Sequence, residues 1–276
     1  MALVKTVQEV MNERVNECLA LAKDKFAPAI RPIYASTDAR RPVHLGSSIF
    51  LKIDDVPHLL TAAHVIDWIK HSSLYIGGET HLTEIEAEFR VTKADNRDND
   101  RYDFAFAVIP EPMAAKLGDV TYISDKEISS MPVQTTGHVY AALGYPNSQN
   151  EKIDHTKKHI ATVIWPYAAT VLSDLNATAL AKSLKISGED HVFIKFDEKH
   201  SRDVHTGKIV NSLKPTGISG GALSDLGNLA DLDRFAEPGT GGRLVGLLIE
   251  HRARHKAMVA TRMTTIIRAM RSHRVG

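Results

Sequence analysis

The sequence predicts an all-β protein of two antiparallel six-stranded barrels, framed by an N-terminal amphipathic helix and a C-terminal helix. Three observations carry that expectation. Short apolar or alternating runs separated by turn residues recur through both halves of the 276-residue chain, the pattern of barrel strands. A helical period of apolar residues runs through residues 3–26. One Gly-rich bend, Thr216-Gly217-Ile218-Ser219-Gly220-Gly221, runs into apolar Ala222-Leu223, as at a tight turn between strands.

Residues 1–29 place Leu3, Val7, Met11, Val15, Cys18, Ala22 and Phe26 at intervals of three and four, and Pro28 ends the pattern, so an amphipathic helix is expected over 3–26. Its apolar face must cover the body of its own chain or dock a partner or a second copy. Cys18 on that face reads as a small core residue. Residues 30–125 supply the first barrel, with strand-like runs at 33–35, 46–53, 59–63, 74–76, 82–91 and 104–109. A crossing linker over 111–135 carries Pro112, Gly118 and Pro132. Residues 126–276 supply the second barrel, with runs at 139–146, 159–172, 180–186, 192–196, 243–249 and 257–263. A closing helix over 266–274, capped by Thr264 or Thr265, ends in Arg268, Arg271 and Arg274, which suits the negative end of a helix dipole. The halves share no sequence repeat.

Composition narrows the class. The chain is 43% hydrophobic with a net charge of +1, which gives no general pull toward nucleic acid or a membrane surface. No apolar run approaches the roughly 18 residues needed to span a bilayer, and the first residues lack the basic-then-apolar pattern expected of a secretion signal. The single cysteine, Cys18, allows no intramolecular disulfide, so a reducing, cytoplasmic setting is expected.

The bend around Ser219 is the first candidate for chemistry. A serine hydroxyl is a weak nucleophile near neutral pH and needs an adjacent base, with backbone N–H groups aimed at the developing oxyanion. Glycines on both sides permit the sharp turn and close substrate approach. Alone, the bend fits a turn between two strands equally well. A base is available in His64, at the end of the run Leu59-Leu60-Thr61-Ala62-Ala63; alone, it also fits a buried core histidine. An acid is available in Asp103, where a polar stretch gives way to Phe104-Ala105-Phe106-Ala107-Val108. A carboxylate at the mouth of a buried strand requires a partner.

With Thr61-Ala62-Ala63-His64, Asp103 before an apolar strand, and Gly217-Ile218-Ser219-Gly220-Gly221 in that order, the chain resembles the trypsin/chymotrypsin-like serine peptidases. Residues 244–249 and 259–263 resemble that family's cleft-lining strand and its last strand, so the resemblance covers about residues 30–272. It implies chymotrypsin-like barrels and two-step acyl transfer. Ser219 would be the nucleophile, His64 the base, Asp103 the orienting acid, and the N–H groups of Gly217 and Ser219 the oxyanion hole. It implies a protein or peptide substrate, no cofactor and no metal. The rate would rise as His64 loses its proton, near ~6.5 in a mild environment.

Departures from the family pattern matter too. Ile218 stands where secreted members carry an acid that pairs with a freed N-terminus, so such activation is not expected. Leu213 occupies the usual pocket floor and removes the basis for a basic-residue preference. Thr216, Ile249, Glu250 and His251 are further candidates for the pocket, with Glu250 and His251 equally readable as exposed residues at a strand end. His155 and His159 have the spacing of a helical zinc pair but lack the accompanying glutamate and fit a solvated loop. The basic cluster at 251–256 lacks interleaved aromatics and reads as solvated surface, so no nucleic-acid partner is expected. Two rival functions stay open: a catalytically silent peptide-binding scaffold, and an acyl esterase on the same fold.

Overall fold

The computed structural model describes residues 5–36, 41–78, 81–94, 96–133, 137–151, 153–154, 159–160, 162–199, 201–202, 209–228 and 242–273. The chain opens with helix α1 (Val7–Phe26), capped by Thr6, whose hydroxyl accepts from Glu9 N–H while the Glu9 carboxylate accepts from Thr6 N–H. This reciprocal arrangement satisfies two donors that a helix start otherwise leaves open. Leu19, Ala22 and Phe26 are buried, whereas Val7 is 77% exposed. The covered face is therefore confined to the C-terminal half of the helix, which packs against the second sheet of its own chain. Cys18 is half-buried against the same core, and burial pushes its thiol pKa up.

The first sheet comprises β1 (Ile30–Ser36), β2 (Pro42–Ile53), β3 (Val56–Ala62), β4 (Leu74–Gly77), β5 (Leu82–Glu84), β6 (Arg90–Val91) and β7 (Phe104–Val108), with the short helix α2 (Ala63–Ile66) following β3. Its order is β5-β4-β1-β2-β3-β7-β6, antiparallel throughout, and β8 (Ile123–Ser124) adds to β2 in parallel. Helix α3 (Glu111–Leu117) connects β7 to β8, inside what the sequence suggested was an irregular linker; Pro112 sits in its first turn, where its missing N–H costs nothing.

The second sheet is built from β9 (His138–Gly144), β12 (Trp165–Ala169), β13 (His191–Lys195), β16 (Ala222–Asn228), β17 (Arg243–Arg252) and β18 (Ala257–Arg262), in the order β12-β9-β16-β17-β18-β13. Helix α4 (Asn147–Asn150) follows β9. Two-residue hairpins, β10 (Ile153–Asp154) with β11 (His159–Ile160) and β14 (Ser201–Arg202) with β15 (Ile209–Val210), lie outside the sheet. Helix α5 (Asp174–Leu184) occupies part of the stretch expected as a strand over 180–186, and helix α6 (Met263–Ser272) closes the described chain. Both strand orders are open, so the expected pair of closed six-stranded barrels is not what the ladders give. One of the two sheets curls as a half-barrel. The ends of the second sheet approach each other where Val171 bridges Ile194 and Leu172 N–H donates to Phe193 C=O at 2.9 Å.

Strand alternation explains how both sheets are covered on two faces. Along β2, Ile49, Leu51 and Ile53 enter the large core shared by the two sheets, while Phe50 points into the first sheet's own interior. Along β9, Val139, Ala141 and Leu143 join the shared core, while Tyr140 and Ala142 fill the second sheet's interior. A period of two therefore sorts successive side chains between two cores. Phe26 of α1, Leu180 of α5 and Ile266 of α6 enter the shared core, each burial contributing about 2 kcal/mol.

The start of α6 differs from expectation. Arg262 is its N-cap and no side-chain hydrogen bond caps it; Thr265 instead donates to Asp190 Oδ1 at 2.7 Å. Late in α6, Arg271 pairs with Asp54 of the β2–β3 turn at 2.9 Å, while Arg274 lies outside the described residues. Among the described residues, no helix is long and apolar enough to cross a membrane.

Candidate active site

Helix α2 begins at Ala63 without a side-chain cap of its own, and the groups that need one are met by a distant residue. Asp103 accepts from the Ala63 N–H with its backbone carbonyl at 3.1 Å and from the His64 N–H with Oδ1 at 2.9 Å. Its second carboxylate oxygen accepts from His64 Nδ1 at 2.6 Å. One residue thus satisfies two first-turn donors and fixes the ring's tautomer, leaving Nε2 free of the proton. To do so Asp103 adopts φ +43°, a left-handed conformation that Asp tolerates better than most residues. Its side chain is 13% exposed, while that of His64 is 41% exposed. Burial is the largest single influence on His64 and pushes its pKa down, but the hydrogen bond and charge of Asp103 together outweigh it and hold the ring above its ordinary value.

The Ser219 loop is held from both sheets. Gly217 and Gly220 adopt φ +93° and +86°, open to glycine without strain. Ser219 C=O accepts from Ser47 N–H at 2.7 Å, Gly220 N–H donates to Leu248 C=O at 2.7 Å, and Gly221 N–H donates to Ile218 C=O at 2.8 Å. Ser47 Oγ donates to Gly217 C=O at 3.2 Å and accepts from Tyr145 N–H at 2.9 Å. Ile218, where an acid would permit an ion pair, is buried among Tyr140, Ala142, Leu223 and Leu248. Among the described residues the N–H groups of Gly217 and Ser219 donate to no acceptor.

His64, Asp103 and Ser219 line one cleft of about 470 Å³ with Ile249, Glu250, His251, Arg252, Arg97 and Asp100. Two carriers of the expected pocket, Leu213 and Thr216, do not line it. The Ser219 hydroxyl donates to Ile249 C=O at 3.2 Å, not to His64. Glu250 and His251 lie within β17 and are half-buried, not exposed at a strand end. Burial pushes the Glu250 carboxyl pKa up, against the pull of Arg252, with which it forms an ion pair. His251 rests edge-on against Phe196 at 5.0 Å, and burial lowers its pKa.

Sequence reasoning missed Arg97, Asp100 and Arg252. Arg97 bonds Asp67 at 2.8 Å and also pairs with Asp100, to which Thr92 donates. The signal was present in the alternating acids and bases of 95–101 immediately before Asp103. Among the described residues no group of three His, Cys, Asp or Glu is placed to hold a metal; His155, half of the zinc-like pair, lies outside them, as does most of the 225–242 insert.

Mostly β, with two antiparallel sheets, one of them a curled half-barrel, and helices at either end, the chain is compatible with a chymotrypsin-like fold. No protein-family model and no curated protein matches it.

Proposed function

We propose that this protein is a serine endopeptidase of the trypsin/chymotrypsin-like type, cleaving peptide bonds through an acyl-enzyme on Ser219. The observation that supports it most is the Asp103–His64 pair, joined at 2.6 Å on the wall of the cleft that Ser219 also lines. On substrate binding the Ser219 hydroxyl leaves Ile249 C=O, gives its proton to His64 Nε2 and attacks the carbonyl carbon. Asp103 stabilises the imidazolium without taking the proton. The oxyanion meets the N–H groups of Gly217 and Ser219. Collapse expels the amine, protonated by His64, and water then enters by the same route in reverse. In this reading the two sheets are the two barrels of a chymotrypsin-like fold, the substrate is a protein or peptide, and the lone Cys18 suits a cytoplasmic setting.

The bond from Ser219 to Ile249 favours a second reading, a peptide-binding scaffold whose serine is held out of reach of its base. Labelling with a fluorophosphonate probe separates the two. Stoichiometric modification of Ser219, abolished in Ser219→Ala and His64→Ala, is expected of the enzyme. A purified, folded wild type that takes no label and cleaves neither casein nor short acyl esters would refute it. Faster turnover of the esters than of any peptide would point to an esterase.

A further inference from the structure

Gly217 is the residue whose N–H must face the oxyanion in the proposed reaction, and its orientation is set from behind. Asn147, at the start of α4, donates its N–H to Thr216 C=O at 2.8 Å. Its side-chain Oδ1 accepts from His44 Nδ1 at 2.7 Å. Both side chains lie flush on the glycine: a Cβ there would sit 1.8 Å from Asn147 Oδ1 and 2.9 Å from His44 Cε1. His44 is 2% exposed, and its Nε2 is buried with no hydrogen-bond partner among the described residues. Burial leads the influences on its ring and lowers the pKa, against Asn147 and the Gly46 backbone. A neutral ring, with its one proton given to Asn147, is the state the site accommodates. The edge of Tyr34 meets His44 at 5.3 Å, and Tyr34 Oη donates to Asn150 C=O at 3.1 Å. Strands β1 and β2 of the first sheet therefore fix α4, and α4 fixes the loop.

In a trans peptide the C=O and N–H point in opposite directions, and no cis bond is present among the described residues. With Thr216 C=O directed at Asn147 N–H, the Gly217 N–H faces away from Asn147. Rotation of that one peptide would replace a donor by a carbonyl oxygen and turn stabilisation of the oxyanion into repulsion.

We infer that His44 and Asn147 are positioning residues that lock the Thr216–Gly217 peptide with its N–H presented to the oxyanion. The inference rests on the serine-peptidase reading. Neither residue touches substrate; both act through the backbone of the loop.

The test uses the full chain, with active sites counted by fluorophosphonate end-point labelling, and measures kcat and KM per titrated site on a peptide substrate. Asn147→Ala and His44→Phe are expected to lower kcat about 100-fold, the scale of one oxyanion donor, with KM changed less than about threefold. Affinity for a peptide aldehyde, which forms a tetrahedral adduct, falls by the same factor as kcat. His44→Gln keeps a donor for the Asn147 amide and regains at least about tenfold over His44→Phe. A purely structural role would lower the count of active sites and the melting temperature while leaving kcat per site unchanged, and that result overturns the inference alone. Should His44→Phe not fold, Asn147→Ala, a truncation at a half-buried turn, decides by the same criterion. An inert wild type overturns the peptidase reading, and this inference with it.

Discussion

A Cβ added to Gly220 would lie 1.9 Å from the carbonyl oxygen of Ser47 and 2.5 Å from Thr61 Oγ1. That oxygen already accepts from Thr61 Oγ1 at 2.6 Å, so it has no freedom to retreat. Gly220→Ala is expected to destabilise the protein by about 3 kcal/mol, combining the left-handed φ with a backbone collision. In a chain of this size that is a fall in Tm of roughly 5–10 °C. A melt indistinguishable from wild type would show that the loop is free to move away from β2.

The pull of Asp103 on His64 predicts the pH profile. Because the ring's pKa is raised overall, the acid limb of kcat/KM is expected above ~6.5, higher than a mild environment would give. Asp103→Asn leaves burial, the largest influence, opposed only by the weaker charge of Asp67, so the limb is expected to move down and the rate to fall by about 10⁴. The sign for stability runs the other way from the rate. A raised folded-state pKa adds stability that is fully present below ~6.5 and is lost as pH rises through the folded value. An acid limb in Asp103→Asn unchanged from wild type would remove Asp103 from its assigned role.

Arg97 is the only described cation bonded to Asp100, whose side chain is 2% exposed. Arg97→Met would leave that carboxylate buried and opposed only by Thr92 and backbone donors, at a cost of about 3 kcal/mol near neutral pH. In wild type Asp67 is held low chiefly by Arg97; at Asp100 burial opposes ionisation, but Thr92, backbone donors and Arg97 prevail. Their contribution is present above ~4 and lost as pH falls through the folded values. The Tm gap between Arg97→Met and wild type is therefore expected to narrow from pH 7 toward pH 4, and a constant gap in thermal melts would contradict this account.

Arg271 and Asp54 provide the contrast. Their side chains are 54% and 41% exposed, so water screens the pair, and Arg271→Ala is expected to cost no more than about 0.5 kcal/mol. A loss several times larger in denaturant titration would show that the contact between α6 and the β2–β3 turn carries more than charge.

The residues proposed for chemistry were legible because each needs a particular residue type next to a particular kind of element. His64 at a strand end and Asp103 before an apolar strand stand where the sequence placed them, and Ser219 lies between two glycines at positive φ. Alternation along 82–91 was also visible, but it reports which way side chains face, not which backbones pair. Ile85, Ala87 and Phe89 do face the first interior core, yet only Leu82–Glu84 and Arg90–Val91 are strands. The strand expected over 180–186 gives way to α5, whose signal was present: Ser173 at the cap position, then Ala177, Leu180, Ala181 and Leu184 at helical spacing against the shared core. His44, Ser47 and Asn147 could not be singled out, since their roles arise from contacts across 103 to 170 residues of sequence.

Ile218 anchors the Ser219 loop by immersion in hydrocarbon, where an ion pair would have offered a removable pin. Added salt weakens pins of that kind and reinforces the exclusion of oil from water. The loop's anchorage is therefore expected to hold in brine as in dilute buffer.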